Sequence, residues 1–256
     1  MKYGVCKHPI IPGRAEPSDK SEQVTQLLFG ESYTVLDSQK KWVLIELNTD
    51  HYQCWIDKKQ HTEIDEKEHL RINDRNNKRC GDAIGFVTDA QGKRFAIPCS
   101  APLPGYNDGS FTLAGHKYEF DGRIARHDTE SLIRHSKRLI HAPYLWGGKT
   151  IFGIDCSGFV QVVFNCAGID LPRDAYQQAE IGDPVDFVGT ARAGDLVFFD
   201  NDEGRIIHVG MLLDSETIVH ASGSVRIDKI DHNGIYNADE QAYTHNTRII
   251  RRIPRT

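Results

Sequence analysis

The sequence predicts an α+β chain in which one or two small β-barrels precede a larger domain, with the helices of that domain first and its antiparallel strands after. Three observations predict this. Residues 1–60 hold only short β-branched and aromatic runs, separated by Gly, Asp-Ser and Asn-Thr-Asp turn signals. At Asp128-Thr129 the apolar spacing changes to that of a helix. Beyond Gly168, past a loop with Pro172 and Pro184, the runs become strand-like again.

The 256 residues suffice for one large domain or two to three small ones. A net charge of -5 and no long basic run argue against nucleic acid or an anionic membrane as partner, and a monomer is expected. Met1 to Arg14 contains no apolar stretch of the kind a signal peptide carries, and no segment is long enough to span a bilayer, so a cytoplasmic protein is expected. The six cysteines show no paired C-x-x-C spacing and are read as reduced thiols. No metal or cofactor is expected.

In chain order, Leu27 to Leu36, Trp42 to Leu47 and Tyr52 to Ile56 read as strands, and a barrel is the natural way to hide the edges of so few. The charged segment Glu63 to Lys67 reads as a linker or exposed helix. Residues 61–125 then read as a second small β domain, with strands near 83–87, 94–97, 110–114 and 116–120. The third domain, 126–256, opens on a helix capped by Asp128 or Thr129 and ending before Pro143. A second helix starts near Cys156 and stops near Gly168. Strands follow at 195–199, 206–213, 217–220, 225–227 and 247–253.

Cys156 carries the chemistry. It follows the Gly-rich approach Tyr144-Leu145-Trp146-Gly147-Gly148 and opens the apolar run Phe159, Val160, Val162, Val163, Phe164. At the first turn of a helix, unpaired N–H groups would stabilise a thiolate; a buried structural thiol is the plain alternative. A cysteine nucleophile needs a base, and the base needs a third group to orient it. His208 and His220 lie on two strands that the turn Leu213-Asp214-Ser215-Glu216 should join as a hairpin, bringing the rings together. Zinc on Cys156, His208 and His220 is disfavoured, because structural zinc wants close ligand pairs and a fourth ligand. The other histidines, His127, His135 and His245 among them, read as solvated surface.

The ordered set Tyr144 to Gly148, Asp155-Cys156-Ser157-Gly158-Phe159-Val160, Leu171-Pro172-Arg173-Asp174, Gly194 to Phe199, His208-Val209-Gly210 and His220-Ala221-Ser222 resembles NlpC-type, papain-like cysteine peptidases of murein. Residues 1–60, through Arg14 to Pro17, Leu28 to Glu31 and Tyr52 to Ile56, resemble a bacterial SH3-like domain. The combination resembles the γ-D-glutamyl-L-diamino acid endopeptidases (dipeptidyl-peptidase VI). The resemblance implies Cys156 as nucleophile, His208 as base and then acid, His220 as its orienting partner and Tyr144 as oxyanion support. It implies Asp155 and Ser157 as substrate contacts, and Tyr52, Glu16 and Asp174 as contacts to the free amine of a peptide beginning L-Ala-γ-D-Glu. Packing in the barrel is the alternative for Tyr52, and turn surface for Glu16. Two other functions stay open at this level: an exported endopeptidase of polymeric peptidoglycan, and a wall-peptide binding protein without catalysis.

Overall fold

The computed structural model describes residues 2–126 and 128–254, and His127, read above as surface, lies outside them. The N-terminal unit is a seven-stranded antiparallel sheet. It includes Gln23–Leu28, whose polar start hid it from the sequence pattern, as one edge strand, and Thr62–Ile64, paired with Tyr3–Val5, as the other. It therefore runs past residue 60. Val43, Ile45, Leu47, Cys54 and Ile56 face its core.

The charged linker is in part helical. Asp65 caps α1 (Glu66–Ile72) by accepting the Glu68 N–H at 2.8 Å, with Glu66 and Glu68 in the first turn, where the helix dipole favours them. Ile84–Asp89, Arg94–Pro98, Ser110–Leu113 and His116–Asp121 form a four-stranded antiparallel sheet. Phe29 of the first unit reaches into its core, meeting Phe95, Phe111 and Tyr118 edge-on at centroid distances of 5.7, 6.1 and 5.5 Å. The two β units thus share apolar contacts.

Asp128 caps α2 (Thr129–Arg138), accepting the Ser131 N–H at 2.7 Å. The chemistry-bearing helix is α3 (Cys156–Cys166), and every one of its residues is buried. Other elements enclose it on all sides, so even its polar stripe, Ser157, Gln161 and Asn165, is buried. Phe159 and Phe164 are wholly buried, and truncating either to Ala should cost about 3–5 kcal/mol.

Next to α3, Leu196–Asp200, Ile206–Leu212, Thr217–Ser222 and Ser224–Asp231 pair in succession at the centre of an eight-stranded antiparallel sheet. The register sets Gly210 opposite His220, and His220 opposite Arg226. Helix α4 (Ala175–Gln178) follows the Pro172-Arg173-Asp174 run. No helix among the described residues is long and apolar enough to cross a membrane.

Candidate active site

Asp155 sets the start of α3. Its extended backbone and carboxylate cap the helix, accepting the Gly158 N–H at 2.7 Å and the Gly147 N–H at 2.8 Å. Two glycines make this approach possible. Gly147 has φ +73, and a Cβ there would lie 2.4 Å from the carbonyl oxygen of Gln23; a Cβ on Gly158 would lie 2.4 Å from that of Gly148.

The backbone N–H groups of Ser157 and Val209 act on the Cys156 thiol, and Val209 directly follows His208. The sequence-based expectation of a resting thiolate is corrected here. Burial and the adjacent Asp155 carboxylate outweigh those N–H groups and push the thiol up to about 11. Burial, then His220 and His245, hold the His208 imidazole well below 6.5. At rest the thiol and the imidazole are therefore both neutral.

A line of hydrogen bonds orients that imidazole. His208 Nε2 lies 2.9 Å from His220 Nδ1, and His220 Nε2 lies 2.9 Å from Asp228 Oδ2. Burial opposes the charge on Asp228, but hydrogen bonds from His220 and Arg226 hold its pKa below the ordinary carboxylate value. A carboxylate only accepts, so a neutral His220 donates from Nε2 and accepts at Nδ1. His208 must then donate from Nε2, which leaves its Nδ1 unprotonated and basic. Arg226 steadies Asp228 through Nε at 2.6 Å and a second nitrogen at 2.9 Å. His245, expected on the surface, instead lies against His208 with ring centroids 4.3 Å apart, and burial lowers its pKa to about 4.

Cys156 opens onto a cleft of about 420 Å³ that brings the N-terminal barrel and the third domain together. A larger cavity of about 830 Å³ lies away from this chemistry, beside His135. The barrel contributes Glu22, Val24 and Tyr52 to the cleft, and the third domain contributes Trp146, Arg173, Asp174, Tyr176 and Ile207 among others. Tyr52 is aimed there by a tight turn: His51 has φ 57, and Asp50 accepts the Tyr52 N–H at 3.0 Å and Gln161 Nε2 of α3 at 2.8 Å. Burial and the nearby Asp174 raise the pKa of the Tyr52 hydroxyl, so it remains a donor. Burial likewise raises Asp174. Tyr144 is half-exposed, and burial with the neighbouring Cys156 pushes its hydroxyl up to about 12.

Three placements differ from expectation. Glu16 is exposed on a turn that Ala15 and Glu22 close by a backbone bond of 3.0 Å, and it does not line the cleft. The acid that does is Glu22, at the foot of the strand, where its carboxylate accepts Trp146 Nε1–H. Asp155 and Ser157 do line the cleft, but their side chains are bound to the buried Arg173, which sequence reasoning missed as a site residue. Arg173 reaches Asp155 at 2.5 and 3.1 Å, Ser157 Oγ at 2.9 Å and Thr25 of the barrel at 3.1 Å. Asp228 was missed as well, since only the strand register brings it to His220.

The buried pair Lys149–Glu31, at 3.2 Å, adds a further tie between barrel and third domain. The cleft thus carries the Cys156 thiol, carboxylates and a phenol on its lining, and the strand that supplies Ile206 and Ile207 to it also carries the oriented His208. That arrangement suits acyl transfer from an amide.

Residues 141–248 match the NlpC/P60 family, and residues 13–60 match the bacterial dipeptidyl-peptidase Sh3 domain. The chain is 30% identical over 220 residues to a γ-D-glutamyl-L-lysine dipeptidyl-peptidase of Bacillus subtilis, covering 77% of this chain and 71% of that protein. It is 47% identical over 83 residues to the Escherichia coli murein DD-endopeptidase MepS/murein LD-carboxypeptidase, covering 32% of this chain and 43% of that one. The crystal structure of an NlpC/P60 family protein from Bacillus cereus has the same fold, with a TM-score of 0.80 at 21% identity over 98% of this chain and 99% of that one. The fold, the buried Cys156 at the start of α3 and these matches define a papain-like hydrolase with an SH3-like domain at its N-terminus. The chain belongs to the NlpC/P60 family.

Proposed function

We propose that the protein is a cysteine peptidase that cuts the γ-D-glutamyl–diamino acid amide of murein peptides bearing a free N-terminal L-Ala. One observation carries this reading. The cleft that holds Cys156 is lined by Glu22 and Tyr52 of the barrel and by Asp174 of the third domain, a set suited to a peptide ammonium. An ammonium taken out of water needs such partners.

His208 Nδ1 takes the thiol proton as the sulfur of Cys156 attacks the γ-carbonyl carbon. The Tyr144 hydroxyl and the N–H groups at the start of α3 receive the negative charge that develops on oxygen. His208 then passes the proton to the leaving amine, and a thioester to the dipeptide remains. Water, giving a proton to His208, adds to the thioester carbonyl; the returning proton regenerates the thiol and frees L-Ala-γ-D-Glu. His220 and Asp228 keep His208 in the required tautomer throughout.

The names of the Bacillus relatives support a dipeptide product and a diamino acid on the leaving side. The reading assigns the enzyme to cytoplasmic recycling, because an ammonium site accepts only peptides whose amine has been freed from the wall. The test supplies L-Ala-γ-D-Glu-diaminopimelate and its N-acetylated form. Strong preference for the free amine supports the proposal; equal cutting of both contradicts it.

A further inference from the structure

A second cluster of soft ligands lies where the middle β unit meets the third domain. Cys99 follows the strand Arg94–Pro98, His135 lies on α2, and Cys166 ends α3. The sequence separations gave no close pair, so the sequence pattern did not suggest a metal there. In the fold, the two sulfurs and one imidazole nitrogen all lie within 4.8 Å of one another, and all three residues are buried. Cys99 Sγ and Cys166 Sγ are 3.5 Å apart.

Both ring nitrogens of His135 lack a hydrogen-bond partner among the described residues, although the residue is only 1% exposed. A buried imidazole with neither nitrogen satisfied is costly; the two buried thiols have each other and, for Cys166, a long contact to the Cys80 carbonyl at 3.8 Å. A tetrahedral zinc ion with sulfur at about 2.3 Å and nitrogen at about 2.0 Å sets its two sulfurs about 3.8 Å apart and each sulfur about 3.5 Å from the nitrogen. The sulfur pair, at 3.5 Å, needs to open by only about 0.3 Å to meet that geometry. Two thiolates and Zn²⁺ sum to zero formal charge, which lowers the cost of burying the ion. A disulfide between the same sulfurs would need an oxidant and would leave His135 unsatisfied.

We infer that Cys99, His135 and Cys166 form a three-ligand site for a thiophilic divalent cation, Zn²⁺ by preference, with water as the fourth ligand, joining the middle β unit to α2 and α3. Binding releases the two thiol protons and forms two metal–sulfur bonds and one metal–nitrogen bond. His135 also lines the cavity of about 830 Å³, which gives water a route to the fourth coordination position. The site is separate from Cys156 and does not depend on the peptidase reading.

Cobalt(II) serves as the probe, added to the phosphine-reduced, chelator-treated full chain in a Cys156→Ala background so that the cleft thiol cannot compete. The expected result is one equivalent of Co²⁺ per chain, with thiolate-to-cobalt charge transfer and tetrahedral d–d bands that Zn²⁺ abolishes. Cys166→Ser and Cys99→Ser should remove the bands, while Cys6→Ser and Cys54→Ser leave them. His135→Cys should raise the charge-transfer intensity per cobalt about 1.5-fold, a gain that a folding defect cannot mimic. Absence of cobalt binding by the folded parent, or bands unchanged in all of these variants, overturns the inference.

Discussion

Asp228 accepts a hydrogen bond from His220 at 2.9 Å and in doing so decides which nitrogen of His208, one ring further on, is basic. Asp228→Asn removes the acceptor-only partner and lets the His220 tautomer invert. We expect kcat to fall on the order of 10²–10⁴-fold with KM little changed, since the binding cleft is untouched. Steady-state kinetics on the tripeptide check this. A kcat within twofold of the parent would show that the orienting line ends at His220.

The neutral resting pair sets the pH behaviour. His208 must be unprotonated to act as base, and its pKa lies well below 6.5, so the acid limb of kcat/KM should lie below pH 6.5. Alkylation of Cys156 by iodoacetamide in the free enzyme should keep accelerating toward about 11. Slow labelling at neutral pH is therefore expected of the active enzyme and does not indicate an inert thiol. A labelling profile that levels off near neutrality would mean a thiolate–imidazolium pair.

The same histidines link stability to pH. His208 and His245 have folded pKa values below their unfolded ones, so the unfolded chain binds more protons between the two values. Their contribution is full above about 6.5 and is lost as pH falls, for His245 through the window down to about 4. The urea midpoint should drop across that window, and less so in His245→Phe. An unchanged pH dependence in that variant would remove His245 from the linkage.

The amine wall separates two acids six positions apart in sequence. Glu22→Gln should raise KM for the free-amine tripeptide and leave cutting of its N-acetylated form unchanged, whereas Glu16→Gln should do neither. Tyr52→Phe should act in the same direction as Glu22→Gln, more weakly, through loss of one hydrogen bond worth about 0.5–1.5 kcal/mol. Competition assays with both peptides read this directly. An effect of Glu16→Gln equal to that of Glu22→Gln would contradict the placement of the wall.

Arg173 ties the cap of α3 to the barrel, and the pair it forms with Asp155 is buried on both sides, at 2% and 7% side-chain exposure. Arg173→Met leaves the Asp155 carboxylate buried without its cation and should cost about 3–5 kcal/mol of unfolding free energy. Urea denaturation followed by tryptophan fluorescence measures it. A loss under 1 kcal/mol would mean that the backbone N–H groups of Gly147 and Gly158 suffice to hold Asp155.

What could be read in the sequence was local. Cys156 opens an apolar run that can only be a buried helix, and His208 and His220 stand out on apolar strands flanking a recognisable turn. Three residues depended on long-range arrangement instead. Asp228 meets His220 through the register of a third strand, Arg173 finds Thr25 only when the barrel docks, and Glu22 directly precedes a strand whose polar start gave no alternation to follow. Polar neighbours made His135 and His245 look like surface residues, yet helix packing buries the first and the second stacks on His208.

The most direct test of the account is a mass measurement of the products from L-Ala-γ-D-Glu-diaminopimelate. The parent enzyme should release the free dipeptide L-Ala-γ-D-Glu and free diaminopimelate, and Cys156→Ala should leave the tripeptide intact. Intact tripeptide with the parent, or the same dipeptide from Cys156→Ala, would contradict it.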